Sequence, residues 1–356
     1  MDGVTERMAH LCRLLQLRCP VLLAPMAGAC PPTLSVAVAQ AGGLGACGAL
    51  LLSPAGIADW VAAFRAGSAG AFQINLWLPD PAPQRNLQAE ARWCDFLAGW
   101  GPAVAPQAGD ATPPDFSAQC LAVLAARPTA ASSVMGLFPP AFVQALKAAG
   151  VLWMANISTV AEARAAQAAG ADVIVAQGME AGGHRGCFDA RLAESQQVGL
   201  FALLPAVVDA VDLPVVATGG IADARGVAAA FALGASGVQV GTGFLRTPEA
   251  AVAPAWAAAL AQAQPEDTVL TRAFSGRAGR ALATGYVRAA AAPDAPAPAP
   301  YPVQRGLTAA MRAHGTQHND LDRLQAWAGQ SARLAQARPA AEVMTALCAG
   351  LPAGWA

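Results

Sequence analysis

Val173-Ile-Val-Ala-Gln-Gly-Met-Glu-Ala-Gly-Gly-His-Arg-Gly186 is the stretch on which the reading of this chain turns. It opens as a short apolar run, Val173 to Ala176, which reads as a buried strand. It then breaks into Gln177, Gly178, Glu180, Gly182, Gly183, His184, Arg185 and Gly186. A strand thus ends by delivering polar side chains and bare backbone into a loop. Glycines at 182, 183 and 186 let that loop approach a ligand closely and take positive φ. His184 is one of four histidines in the chain, and the one set between glycine and arginine. A histidine on a strand-end loop suits acid–base chemistry.

Outward from that strand, apolar runs alternate with helical patterns. Pro20 to Gly28 reads as a first strand ending in a turn, and Pro32 starts a helix that Gly42-Gly43 stops. Further strands are expected at Leu44–Ala49, Phe72–Leu76, Ser133–Leu137, Val151–Ala155, Ala171–Ala176, Leu213–Thr218 and Gly237–Val240, with helices between them. Eight strand–helix units imply right-handed crossovers and a parallel sheet closed into a (β/α)₈ TIM barrel. Its active site then lies at the C-terminal ends of the strands. An open doubly wound sheet is the alternative, but no GxGxxG opens a first helix. The barrel unit is read as 1–288. An insertion after the third strand, 79–117, carries a helix near Leu87–Leu97 and reads as a lid or substrate wall. Beyond the barrel the pattern predicts a helix over Glu249–Ala263, an apolar run at Val269–Gly276 and a turn over Ser275–Arg280. An Ala/Pro tract, 289–302, reads as an extended connector, and 303–356 as a C-terminal helical segment packed on the barrel.

Two more strand ends match the first: Val216-Ala-Thr-Gly-Gly-Ile221 and Val238-Gln-Val-Gly-Thr-Gly243. In a barrel these are neighbours, where phosphates are usually bound. Glycine lets N–H groups approach a phosphate, and a following helix N-terminus adds favourable partial charge. With Lys147 the sole lysine, backbone amides would do the holding.

These residues, with APMAG (24–28), FQINLW (72–77), QGMEAGGHRG (177–186), ATGGI (217–221), GVQVGTGFL (237–245) and FSGR (274–277), resemble the bacterial nitronate monooxygenases, formerly 2-nitropropane dioxygenases. The resemblance spans roughly residues 20 to 290. It implies non-covalent FMN. By motif, Asn75, Gln177, Gly182, Gly220, Gln239, Val240, Gly241 and Thr242 would contact FMN, with Gly183 and Gly219 beside them. Ala24, Pro25 and Met26 would lie along the isoalloxazine, and His184 would be catalytic. The implied reaction oxidises an alkyl nitronate with O₂ to a carbonyl compound and nitrite. The alternative within the same barrel is an NAD(P)H-dependent flavin reductase of enoyl thioesters or quinones. A third reading is a catalytically silent barrel that binds a phosphorylated metabolite.

Bulk properties narrow the partners. Net charge is −1 and charged residues make up 13%, so neither nucleic acid nor an anionic membrane is indicated. No apolar run approaches the ~18 residues of a membrane span, and the start of the chain lacks a signal-peptide layout. Eight scattered cysteines without CxxC read as free thiols in a reducing cytoplasm. The resemblance implies a small-molecule nitronate or nitroalkane with O₂ as the partner, and the protein is expected to be a monomer or homodimer. His314 and His318 have metal-ligand spacing, but no glutamate base lies between them, so no metal is expected. Cys187 reads as a bystander. Glu180 is either a second acid or a carboxylate fixing the glycine loop. Arg185 either neutralises a substrate anion or forms a surface ion pair. Trp256 and Trp327 read as core, Trp77 as a pocket wall.

Overall fold

The computed structural model describes residues 2–352 and Trp355; the other residues of the predicted N- and C-terminal segments lie outside that range. Eleven strands occur among the described residues: β1 (Val21–Leu23), β2 (Gly45–Gly48), β3 (Phe72–Trp77), β4 (Ala130–Val134), β5 (Leu152–Ile157), β6 (Val173–Gln177), β7 (Gly183–His184), β8 (Val215–Thr218), β9 (Gly237–Val240), β10 (Thr268–Thr271) and β11 (Gly279–Leu282). Eight of them form one parallel sheet in the order β1-β9-β8-β6-β5-β4-β3-β2. A parallel bridge between Leu22 and Leu44 joins its two ends. The expected (β/α)₈ barrel is thus the fold. Its strands are buried on both faces, which is why they read as continuous apolar runs rather than alternating ones.

The helix expected to start at Pro32 and stop before Gly42-Gly43 forms over Pro32–Gln40, and the one expected near Leu87–Leu97 forms with those bounds. The fourth strand does not. It starts three residues earlier than expected, because Ser132 and Ser133 are fully satisfied inside the barrel wall. Asn75 Nδ2 donates to Ser132 Oγ at 3.0 Å, and Trp153 Nε1 donates to Ser133 Oγ at 3.0 Å. The helix expected over 249–263 shortens to Pro254–Leu260, opened by its proline. The turn expected over 275–280 instead leads into β11, which pairs antiparallel with β10 and with β7.

Three further features depart from the sequence reading. A helix, Asp2–Leu15, precedes the first strand. Leu11, Cys12 and Leu15 pack with Leu22, Met154, Val173 and Val216, closing the N-terminal end of the barrel. The cysteines are not all free: Cys19, before β1, and Cys348, in the last helix Ala340–Cys348, form a disulfide. The Ala/Pro tract is not a solvated connector. Ala299 is buried in a cluster with Trp93, Phe274, Tyr286 and Met311, so insertion, tract and tail share one small core beside the barrel.

Candidate active site

The loop after β6 is held from three sides. The Gln177 amide pins it across: Nε2 donates to the His184 carbonyl at 3.2 Å, and Oε1 accepts the Gly186 N–H at 2.7 Å. The two residues of β7 pair with Gly279 and Arg280 of β11. Arg280 in turn donates Nε to the Met179 carbonyl at 2.9 Å. Of the three glycines, only Gly183 has positive φ, +76°, and a Cβ there would meet nothing within 4 Å. Gly182 and Gly186 are bare for a different reason. A Cβ on Gly182 would lie 2.5 Å from the Gly329 nitrogen, and one on Gly186 would lie 2.1 Å from Asn156 Nδ2.

This packing turns His184 into a cavity of 470 Å³ at the C-terminal ends of the strands. Small-molecule sites occupy roughly 300–1,000 Å³. Ala24, Pro25, Met26, Asn75, Gln177, Gly182, Gly183, His184, Gly219, Gly220, Gln239, Gly241 and Thr242 all line it. Val240 does not: it points into the apolar core, and its carbonyl accepts the Ala24 N–H at 2.9 Å. The insertion 79–117 contributes no lining residue either; it buttresses the wall from behind through Trp93 and Leu97.

The imidazole sits between two indoles. Trp77 meets it edge-on with centroids 4.7 Å apart, and Trp327 does so at 4.8 Å. Nε2 lies 2.7 Å from Ser275 Oγ, while Nδ1 has no partner among the described residues. Burial, then the charges of Arg277 and Arg305, push the His184 pKa down to about 3. The ring is therefore neutral at ordinary pH. Arg277 is itself buried and pairs with Asp80 at 3.3 Å.

The two glycine turns stand side by side, tied by Thr218 Oγ1 donating to the Gln239 carbonyl at 2.9 Å. The N–H groups of Gly220, Thr242 and Gly243 donate to no acceptor among the described residues. The following helix Ala224–Ala232 is not free to help: Asp223 already caps it, accepting from the Arg225 and Gly226 N–H groups. Gln239 is oriented by Gln73, whose Nε2 donates to Gln239 Oε1 at 3.1 Å; this leaves the Gln239 amide nitrogen for the cavity. Among the described residues no aspartate or glutamate lines the cavity, whereas Arg305 and Arg312 do.

The remaining candidates resolve as follows. Glu180 fixes the loop: its carboxylate accepts the Leu200 N–H at 2.8 Å, at the start of helix Leu200–Val208. Arg185 does neither thing expected of it. It is buried, donates Nη1 to the Gln177 carbonyl at 2.7 Å, and lines no part of the cavity. Cys187 is also buried away from the cavity, and burial pushes its thiol pKa up. His314 and His318 stack with centroids 4.1 Å apart, outside any group of three possible metal ligands among the described residues. Trp256 and Trp327, read as core, line the cavity. The sequence alone does not single out Ser275, Arg305, Arg312 or Gln73. Ser275 lies in the FSGR motif, which could have pointed to it; the arginines follow the Ala/Pro tract and carry no local signal.

Comparisons with known proteins agree with this geometry. The family profile described as nitronate monooxygenase matches residues 9–350. A nitronate monooxygenase of Paraburkholderia phytofirmans is 36% identical over 345 residues, covering 94% of this chain and 92% of that protein. The crystal structure of a nitroalkane oxidase from Streptomyces ansochromogenes superposes with a TM-score of 0.85 at 34% identity, covering 96% of this chain and 97% of that one. FabK of Thermotoga maritima superposes with a TM-score of 0.73 at 28% identity, covering 95% and 94%. The chain belongs to the nitronate monooxygenase family and is an oxidoreductase.

Proposed function

We propose that the cavity binds FMN and that the protein oxidises alkyl nitronates with O₂ to a carbonyl compound and nitrite. The observation that carries this reading is a cavity that, among the described residues, has no carboxylate and pairs unengaged backbone N–H groups with a neutral imidazole. The lining fits the cofactor. Gly220, Thr242 and Gly243 offer N–H donors for a phosphate. Gln239 offers amide donors, and Asn75 retains its Oδ1. Ala24 to Met26 supply an apolar wall beside Gly241, where a Cβ would sit 3.3 Å from that of Ala24. FMN, when bound, supplies the electron chemistry.

The protein's part is to bind, orient and keep water out. Trp77 and Trp327 pack edge-on against the imidazole, and this partial burial together with the nearby Arg277 and Arg305 charges holds it neutral. A histidine with a pKa of about 3 is a poor base for the α-proton of a neutral nitroalkane. The site suits an already anionic nitronate. In the tautomer in which the Ser275 hydroxyl turns from the Arg277 carbonyl to donate to Nε2, Nδ1–H is left to donate to that anion.

The test is spectroscopic. The purified protein should show a yellow FMN spectrum that bleaches when a nitronate is added without oxygen. Bleaching by NAD(P)H but not by nitronate would favour a flavin reductase, and a protein that stays colourless and takes up no FMN would refute the proposal.

A further inference from the structure

No side chain among the described residues balances the positive charge that the cavity carries. Arg305 and Arg312 both line it, and no carboxylate does among the described residues. The arginines around it differ in what they do. Arg312 is engaged through every nitrogen: Nε donates to Thr308 Oγ1 at 3.2 Å, Nη1 to Gln325 Oε1 at 3.3 Å and Nη2 to the Arg305 carbonyl at 2.9 Å. Arg277 is paired with Asp80. The Arg305 guanidinium has neither an ion pair nor a hydrogen bond among the described residues. Its backbone, by contrast, is fixed, since its own carbonyl is gripped by Arg312 and its helix Val303–Leu307 starts directly after the buried Tyr301.

Its position matters as much as its freedom. Tyr301 packs on Trp77 at 5.5 Å, and Trp77 packs on His184 at 4.7 Å. Four residues beyond Tyr301, Arg305 lines the same cavity as the imidazole, and its charge helps to hold that ring neutral. A half-buried guanidinium without a partner, beside a second cation, is an arrangement that an anion relieves. The planar fork also matches the two oxygens of a nitronate.

We propose that Arg305 is the residue that receives the negative oxygens of the substrate and so selects anionic nitronates over their neutral nitroalkanes. This rests on the function proposed above, and the test separates the two. Nitrate, a planar oxyanion, serves as a dead-end probe in calorimetric titrations of the purified protein, its R305M and R305K variants. Wild type binds nitrate; R305M weakens it at least tenfold, and R305K falls between. In turnover, R305M raises KM for ethylnitronate tenfold or more, with kcat within about threefold and KM for nitroethane within about twofold. Flavin content stays at the wild-type level. Because the side chain makes no hydrogen bond or ion pair among the described residues, R305M melts at or above the wild-type temperature; should it be insoluble, R305Q carries the same comparison. Equal nitrate affinity in wild type and R305M, or equal rises in KM for the charged and neutral substrates, would overturn the proposal. Arg305-dependent nitrate binding in a protein that oxidises no nitronate would leave the anion site standing and remove only the proposed reaction.

Discussion

Replacing Gly182 by alanine tests whether the loop that carries His184 is shaped by the chain itself. The added Cβ would lie 2.5 Å from the Gly329 nitrogen, 2.7 Å from the Ala328 carbonyl carbon and 3.0 Å from Thr242 Oγ1. Two of these are backbone atoms, so no side-chain rotation relieves the clash, and one segment must back away. Segment 328–330 is tied down by Gly329 N–H to Thr242 Oγ1 at 3.0 Å, Gln330 N–H to the Glu180 carbonyl at 2.9 Å and Ala328 N–H to the Arg280 carbonyl at 3.2 Å. Overpacking of this kind costs about 1–3 kcal/mol. Each hydrogen bond that stretches forfeits up to about 1 kcal/mol more. A loss of roughly 2–4 kcal/mol follows, equivalent to about 3–5 °C in melting temperature for a chain of this size. Trp327 precedes the displaced segment and walls the imidazole, so turnover falls as well. Gly183→Ala is the control. Its φ of +76° strains an alanine, by about 1 kcal/mol, but nothing stands within 4 Å of the new atom. Thermal melts and flavin titrations of both variants decide the matter. If Gly182→Ala melts with wild type, or if Gly183→Ala is the worse of the two, the steric argument is wrong.

Three other expectations concern the imidazole. His184→Asn should leave FMN bound and cut turnover by about 10²-fold or more, as losing a preorganised donor does; a variant with wild-type kcat would remove His184 from the chemistry. Ser275→Ala should lower kcat by about tenfold, near the worth of one hydrogen bond, with flavin affinity unchanged by titration. Folding should also respond to acid through this residue. His184 protonates at about 3 when folded against 6.5 in the open chain, so its contribution is fully present above pH 6.5 and is lost as pH falls toward 3. Relative to His184→Asn, wild type should lose at most about 1.4 kcal/mol per pH unit across that window, as read from denaturant melts; parallel curves would contradict the burial of the ring.

Local sequence determined a good deal of this protein. The helix bounds at Pro32–Gln40 and Leu87–Leu97 follow from proline, glycine and capping signals within a few residues. The barrel follows from apolar runs repeated at strand–helix spacing, because strands buried on both faces cannot alternate. Gly219–Gly220 and Gly241–Thr242 meet at one cavity because their strands are neighbours in that barrel. Contacts across long separations are what tertiary structure alone decided. Ser275 meets His184 from 91 residues away, and Gln73 orients Gln239 across 166. Arg305 reaches the cavity, and Tyr301 packs behind its Trp77 wall, because the Ala/Pro tract packs against the insertion rather than trailing in solvent, and composition does not report packing. The cation left unbalanced beside a neutral histidine belongs to the same class. A charge is free or paired according to which side chains the fold brings near it, and no single segment of the chain carries that information.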